Sequence, residues 1–327
     1  MGAYIVRRLI WVIVIIAAVT LISFVIFFLL PAGDPALRFA GKQPTPELLE
    51  QVREQLKLND PWYEQYANFV KNIFTGDEYG WPGLGYSFET RIPVLDELKE
   101  RAPRTIALAV GAAILWLIVG VTIGVISAIK RGTFLDRAAM GFALFGVSAP
   151  VFWLGLMALF LFAETGGGPE WLQFLPGTGY VPFEESPNEW FLHLVMPWCV
   201  LALLYAAFYA RMTRGNLLDT MGEDYIRTAR AKGLSERKVV LKHGLRSSLT
   251  PVVTMFGMDL ALLIGGAVIT ETVFNIQGLG QWAVSSTFQQ DLPAVLGVVV
   301  VGAMAVAVMN LIVDIVYAWL DPRVRYQ

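Results

Sequence analysis

Asp259 stands near the middle of the apolar run VVTMFGMDLALLIGG, and Asp314 lies toward the inner end of NLIVDIVYAWL, four residues after Asn310. A carboxylate in hydrocarbon costs about 3 kcal/mol on insertion scales, so each acid needs water or a partner. For Asp314, the spacing from Asn310 and the nearness of Asp321-Pro322-Arg323 favour packing or anchoring of a gate over substrate contact. Asp259 has two readings: a hydrogen bond to a neighbouring span, or a place on a solute path beside Gly257, Gly265 and Gly266, where missing side chains permit close packing or a widened pore. The cost of an unpaired carboxylate weighs toward the path, with a bound ion as another partner. Other chemistry is thin. The sequence has no HExxH, no GxSxG and no paired histidines, so neither an enzyme site nor a metal cage is expected. Its single cysteine, Cys199, excludes an internal disulfide and a CxxC site. The phosphate-loop pattern is missing too: the one Gly-Lys pair, Gly41-Lys42, is followed by Gln43. The chain is therefore expected to bind no cofactor and to hydrolyse no ATP.

The elements that hold these residues are membrane spans. Of 327 residues, 56% are hydrophobic and 16% charged, with a mean hydropathy of +0.56, which excludes a soluble monomer. The formal net charge of −2 sets nucleic acid aside as a partner. Runs near the roughly 20 residues needed to cross a bilayer occur at Leu9–Leu30, Thr105–Ile129, Ala138–Ala163, Trp190–Ala210, Val252–Thr270 and Pro293–Leu320. Six all-α spans follow. The first, at 22 apolar residues, exceeds a secretion-signal core and is read as retained. Pro150 and Pro197 lie inside spans and are candidates for kinks.

Basic residues sort the connections. Arg7 and Arg8, the Lys130-Arg131 turn, Arg211–Pro251 with nine bases against four acids, and Arg323 with Arg325 belong inside. The third-to-fourth connection has five acids and no Lys or Arg, and the fifth-to-sixth has Glu271 and Asp291 and no base, so both belong outside. This places a multi-pass protein in the cytoplasmic membrane with both termini in the cytoplasm. Residues 31–104 become an extracytoplasmic insertion, in which Thr45-Pro46-Glu47 starts one short helix and Trp62, Tyr66, Phe69, Val70, Ile73 and Phe74 mark another. Its apolar stripe suits a cap on the membrane surface and a docking platform equally. Pro93 starts a further amphipathic turn, and FNIQGLGQW reads as a re-entrant turn with glycine bends.

Residues 211–251 form the long inward connection, read as helix, corner, helix. Glu223 and Asp224 start the first helix, Tyr225, Ile226 and Ala229 share a face, and Gly233 stops it. Ser235 caps the second, with Glu236 in its first turn; Val239, Val240, Leu241 and Leu245 lie away from Arg237, Lys238 and Lys242. On composition alone, such a basic loop suits anionic lipid headgroups.

The strings TARAKGLS and KHGLRSSLTPVV shift that reading, because this loop resembles the cytoplasmic loop of the inner-membrane permeases of ATP-binding-cassette importers, and more narrowly the dipeptide and oligopeptide permeases. RRLI, LGYSF, PVLDELKERAPRT, ETVFNIQGLGQW and NLIVDIVYAWLDPRVRY extend the resemblance, in order, over nearly the whole chain. It implies a type I importer permease fold and a coupling helix seated in an ATPase subunit. The coupling surface would comprise Arg227, Thr228, Ala229, Ala231, Lys232, Gly233, Leu234, Ser235 and Glu236, with Ala229 and Gly233 at the Ala and Gly positions of the general EAA...G pattern. Arg227 stands where that pattern has Glu, and His243 to Arg246 replaces its ending, so the glutamate contact is not carried over. Small residues at the surface of a rigid corner would allow close approach and a push as one body. The resemblance further implies a second homologous permease, two cytoplasmic ATPases that bind ATP and Mg, an extracytoplasmic solute-binding protein, and peptide cargo, with nickel, glutathione or oligosaccharide as alternatives. Asp259, Gly265, Gly266, Asn310 and Asp314 are the candidates for path or gate. An autonomous carrier or channel is the rival reading; it lacks support from a string of intramembrane charges.

Overall fold

The computed structural model describes residues 2–26, 45–55, 59–87, 89–289 and 291–320. The start of the insertion, residues 31–44, and the basic tail from residue 321 lie outside the described residues, as does the side chain of Asp314. In chain order the helices are α1 (Gly2–Phe24), α2 (Pro46–Gln55), α3 (Trp62–Thr75), α4 (Val94–Ile129), α5 (Phe134–Ser148), α6 (Val151–Phe162), α7 (Pro187–Met221), α8 (Asp224–Ala231), α9 (Glu236–Ser248), α10 (Thr250–Ile264), α11 (Val268–Val273), α12 (Leu279–Gln289) and α13 (Leu292–Leu320). Among the described residues no strand forms; there are only isolated bridges such as Tyr86 with Pro93.

Among the described residues three helices, α4, α7 and Pro293–Ile312 of α13, are long and apolar enough to cross a membrane, and the bent pairs α5/α6 and α9/α10 raise that number to five if each pair is one span. Within α1 the apolar stretch Ile13–Ile22 is shorter. The expected spans differ from these helices for local reasons. Pro150 does more than kink the third: it lacks an N–H, Ala149 before it is extended at ψ 128, and the axis turns by 103°. The amphipathic turn after Pro93 is not separate, since α4 runs unbroken for 36 residues through Pro103. Pro197 likewise leaves α7 continuous, and that helix extends beyond Ala210 to Met221. The fifth run ends early, at Ile264, because Gly266 takes φ +124, a conformation that L side chains rarely adopt.

Contacts divide the chain into two compact units, Met1–Pro103 with Gly278–Ala307, and Arg104–Gln277 with Val308–Gln327. In the first, the Tyr66 hydroxyl of α3 donates to the Ala17 carbonyl of α1 at 3.0 Å, and Leu84, Val94, Leu98, Leu279, Trp282 and Val298 form the core. Buried Asp291 accepts from the Ser87 hydroxyl, fastening the insertion loop to the start of α13. The second unit is centred on Trp116 and Tyr209, both fully buried. There α4 presents glycines to α7: a Cβ on Gly111 would lie 2.0 Å from Trp198, one on Gly120 2.7 Å from Tyr209, and one on Gly124 2.6 Å from the Ala210 carbonyl oxygen. Gly120 and Gly124 form a GxxxG pair, and in hydrocarbon such backbone approach supplies the dispersion contact that water would otherwise drive.

Candidate coupling elbow and intramembrane acid

At the end of α7 the chain turns through Gly222 and enters α8, whose first turn holds Asp224 next to the positive end of the dipole. Ile226, Ala229 and Val239 are buried together against Met221, so α8 and α9 close on a small core of their own. Gly233, at φ +75, makes the reversal, its N–H bonded to the Arg230 carbonyl at 2.9 Å. A Cβ at Gly233 would meet nothing within 4 Å; glycine is needed there for backbone conformation alone. Across the corner Arg230 donates to both oxygens of Glu236, at 3.1 and 2.7 Å, and this fork holds the Glu236 carboxyl below its ordinary range. Arg227 reaches back to Asp224 at 3.2 Å, and Thr228 bonds the Asp224 carbonyl at 3.0 Å.

The corner's exposed surface includes Arg227, Thr228, Ala231, Lys232, Gly233, Leu234, Ser235 and Glu236. Ala229 is the exception. It points inward at 7% exposure, so it supports the corner rather than forming its surface. Ser235 occupies the N-cap position of α9, but its side chain accepts no N–H; its carbonyl takes the Val239 N–H instead at 3.0 Å. Leu241 is exposed, unlike Val239 and Val240, because Val239–Gly244 takes a π-helical path that rotates it off the apolar face. Below the corner, Gly244 approaches Met221 and Leu217 of α7 closely enough that a Cβ would lie 2.9 Å from the Met221 sulfur.

A charge pair with a buried acid and a partly exposed base lies near this end of α7. Arg214 donates to Asp136 of α5 through Nε at 2.7 Å and Nη2 at 2.9 Å, while the Ser127 hydroxyl and Gly132 N–H also bond the carboxylate. Asp136 is 4% exposed. The pair therefore ties the α4–α5 corner to the helix that carries the elbow.

Deeper in the second unit, Tyr209 of α7 donates its hydroxyl to Asp259 Oδ2 of α10 at 2.7 Å. The neighbouring-span reading of Asp259 thus has its partner. Gly265 and Gly266 lie together where α10 ends, and act as a helix stop rather than a packing face inside a span. Asn310 lies half-buried on α13. Glu271, expected on an outer connection, is fully buried and accepts from Thr105 at 2.7 Å.

The family model described as the binding-protein-dependent transport system inner membrane component matches residues 120–326, and the model for the N-terminal part of such components matches residues 1–109. The chain belongs to this family. It is 38% identical to a probable peptide ABC transporter permease protein of Sinorhizobium fredii over 100% of both chains, and 40% identical to a putative peptide transport system permease protein of Brucella abortus over the same share. It is 36% identical to the dipeptide transport system permease protein DppB of Escherichia coli over 99% of both. A solved inward-facing methionine ABC transporter, MetNI, shares the fold with a TM-score of 0.51 at 19% identity, covering 70% of this chain and 98% of that one.

The chain is thus an all-α, multi-pass permease of the importer type. In this permease the elbow positions read from sequence form one corner, whereas Asp259 is separate, inside the bundle. The Asp136–Arg214 pair was not singled out by the sequence. Its signal was an acid at the start of an apolar run facing an arginine just past another, a match that only the packing of α5 on α7 makes visible.

Proposed function

We propose that this permease is one of two homologous membrane subunits of an ATP-driven importer of di- and oligopeptides. Both termini and the α8–α9 elbow face the cytoplasm, where two separate ATPases bind ATP and Mg, and an extracytoplasmic binding protein delivers cargo to the other side. The chain itself is not catalytic. ATP-driven approach of the ATPases moves the elbow, and the spans alternate access around a central path. Peptide cargo rests on the full-length likeness to permeases named for peptides and dipeptides.

The observation that carries the coupling role is the corner's construction. Its own core and the Arg230–Glu236 fork make it stiff, and its join to α7 through Met221 gives a push somewhere to go. Arg227, Lys232 and the neighbouring exposed residues supply the surface that the ATPase meets, with Ala229 as internal support. Two substitutions separate strain from contact. Gly233→Ala imposes the left-handed strain alone, about 1 kcal/mol, whereas Gly233→Arg adds bulk into open space. Gly233→Arg should abolish ATPase co-purification while membrane insertion persists, with Gly233→Ala intermediate. Retained association in Gly233→Arg, or labelling of Lys232 from outside the cell, defeats the proposal.

A further inference from the structure

Asp259 is held by one oxygen only. Among the described residues its hydrogen bond comes from Tyr209 to Oδ2, which leaves Oδ1 open on a half-buried side chain. Tyr209 is fully buried against Trp116, with ring centroids 6.2 Å apart, so the carboxylate is held in a fixed orientation. One turn earlier on α7, Tyr205 stacks on Trp116 at 4.5 Å and 25° but stays partly exposed. One turn earlier on α10, Phe256 lies 5.9 Å from the same indole. Residues 205 and 209, and 256 and 259, share faces by helical spacing. Three helices of one unit therefore converge on a carboxylate with aromatic walls. The apolar runs Thr105–Ile129, Ala138–Ala163, Trp190–Ala210 and Val252–Thr270 contain no Lys or Arg. The counter-charge for Asp259 is thus not built into these segments.

We infer that Asp259 and Tyr205 form a subsite for the protonated amino terminus of a translocated peptide. The ammonium group donates to Asp259 Oδ1 and rests against the exposed part of the Tyr205 ring, where carboxylate and ring quadrupole both favour a cation. Aromatic walls exclude water and strengthen both terms. No covalent step is involved. The inference rests on the importer reading and gives that path one chemical preference, for cargo bearing a free amine.

The test uses the complete transporter assembly in nanodiscs, without the binding protein, probed by saturation-transfer NMR with the dipeptide Ala–Ala and with N-acetyl-Ala–Ala. The wild type should saturate the N-terminal methyl of Ala–Ala and give a signal about tenfold weaker with the acetylated peptide. Asp259→Asn should remove that difference. Tyr205→Leu, which leaves the Tyr209–Asp259 bond in place, should reduce the Ala–Ala signal severalfold. Equal signals for the two peptides in the wild type, no signal from either, or an Asp259→Asn profile like the wild type overturns the subsite. ATP-dependent Ala–Ala uptake by the wild-type assembly with its binding protein is measured in parallel. Its failure defeats the importer reading, whereas normal uptake with an unaltered Asp259→Asn profile defeats the subsite alone.

Discussion

Replacing Gly124 by alanine puts one methyl group where α4 comes closest to the backbone of α7, and its cost follows from the distances. The new Cβ would sit 2.6 Å from the Ala210 carbonyl oxygen and 2.7 Å from Thr213 Cβ. The first obstacle is backbone, which cannot swing away as the tip of a side chain can, so the two helices must part. Overpacking of this kind costs about 1–3 kcal/mol. Alanine also recovers about 1 kcal/mol of helix propensity relative to glycine. The balance is a net loss of up to about 2 kcal/mol. Gly141 of α5 is the matched control, because a Cβ there meets nothing within 4 Å, so Gly141→Ala retains only the propensity gain. Thermal unfolding of the two variants in one detergent, followed by the loss of monodisperse protein, compares them directly. Gly124→Ala should fall below the wild type and Gly141→Ala should match or exceed it. If Gly124→Ala is as stable as Gly141→Ala, the close approach of α4 to α7 is wrong, and with it the packing argument for the second unit.

Arg214→Ala should destabilise the solubilised chain more than Arg211→Ala, since it strands the buried Asp136 carboxylate whereas Arg211 is exposed; equal midpoints would count against the pair. Gly266→Ala forces a side chain onto φ +124 and should cost about 1–3 kcal/mol, read as a lower unfolding midpoint than that of Gly265→Ala. The depressed Glu236 carboxyl contributes order to the elbow above its unfolded titration range, and this is lost as pH falls through the folded value, below the ordinary carboxylate range. Hydrogen exchange of residues 230–236 should therefore show less protection in acid than near neutrality after correction for intrinsic rates, and Glu236→Gln should abolish that difference. Both partners are exposed, so the effect stays local.

Apolar length and basic asymmetry made the all-α membrane class legible, because both are properties of composition. The elbow was legible for a similar reason: Gly233, the Asp224 start and the apolar spacing of Ile226 and Val239 are local signals, and each reappears in the corner. What failed was whatever depends on a neighbour. Ala229 was put on the coupling surface by resemblance, although its spacing from Ile226 had already placed it on the apolar face over which the corner folds. Ser235 read as a cap, but its carbonyl takes the contact instead. Glu271 read as an ordinary connection charge and Asp136 was not singled out, since Thr105 and Arg214 reach them from distant parts of the chain. Helix ends were displaced wherever proline or glycine competed with hydrophobicity: Pro197 did not interrupt α7, whereas Pro150 and Gly266 ended their helices.

The 103° turn at Ala149-Pro150 bears on how this chain is made. α5 has 15 residues and α6 has 12, rising about 22 and 18 Å, so neither reaches across a 30 Å hydrocarbon layer. Set nearly at right angles, they do not add up to one straight rod either. Both lean on α7, which is synthesised after them. During biogenesis the pair must then wait, incompletely settled among lipids, until that later helix emerges and gives it a wall to rest on.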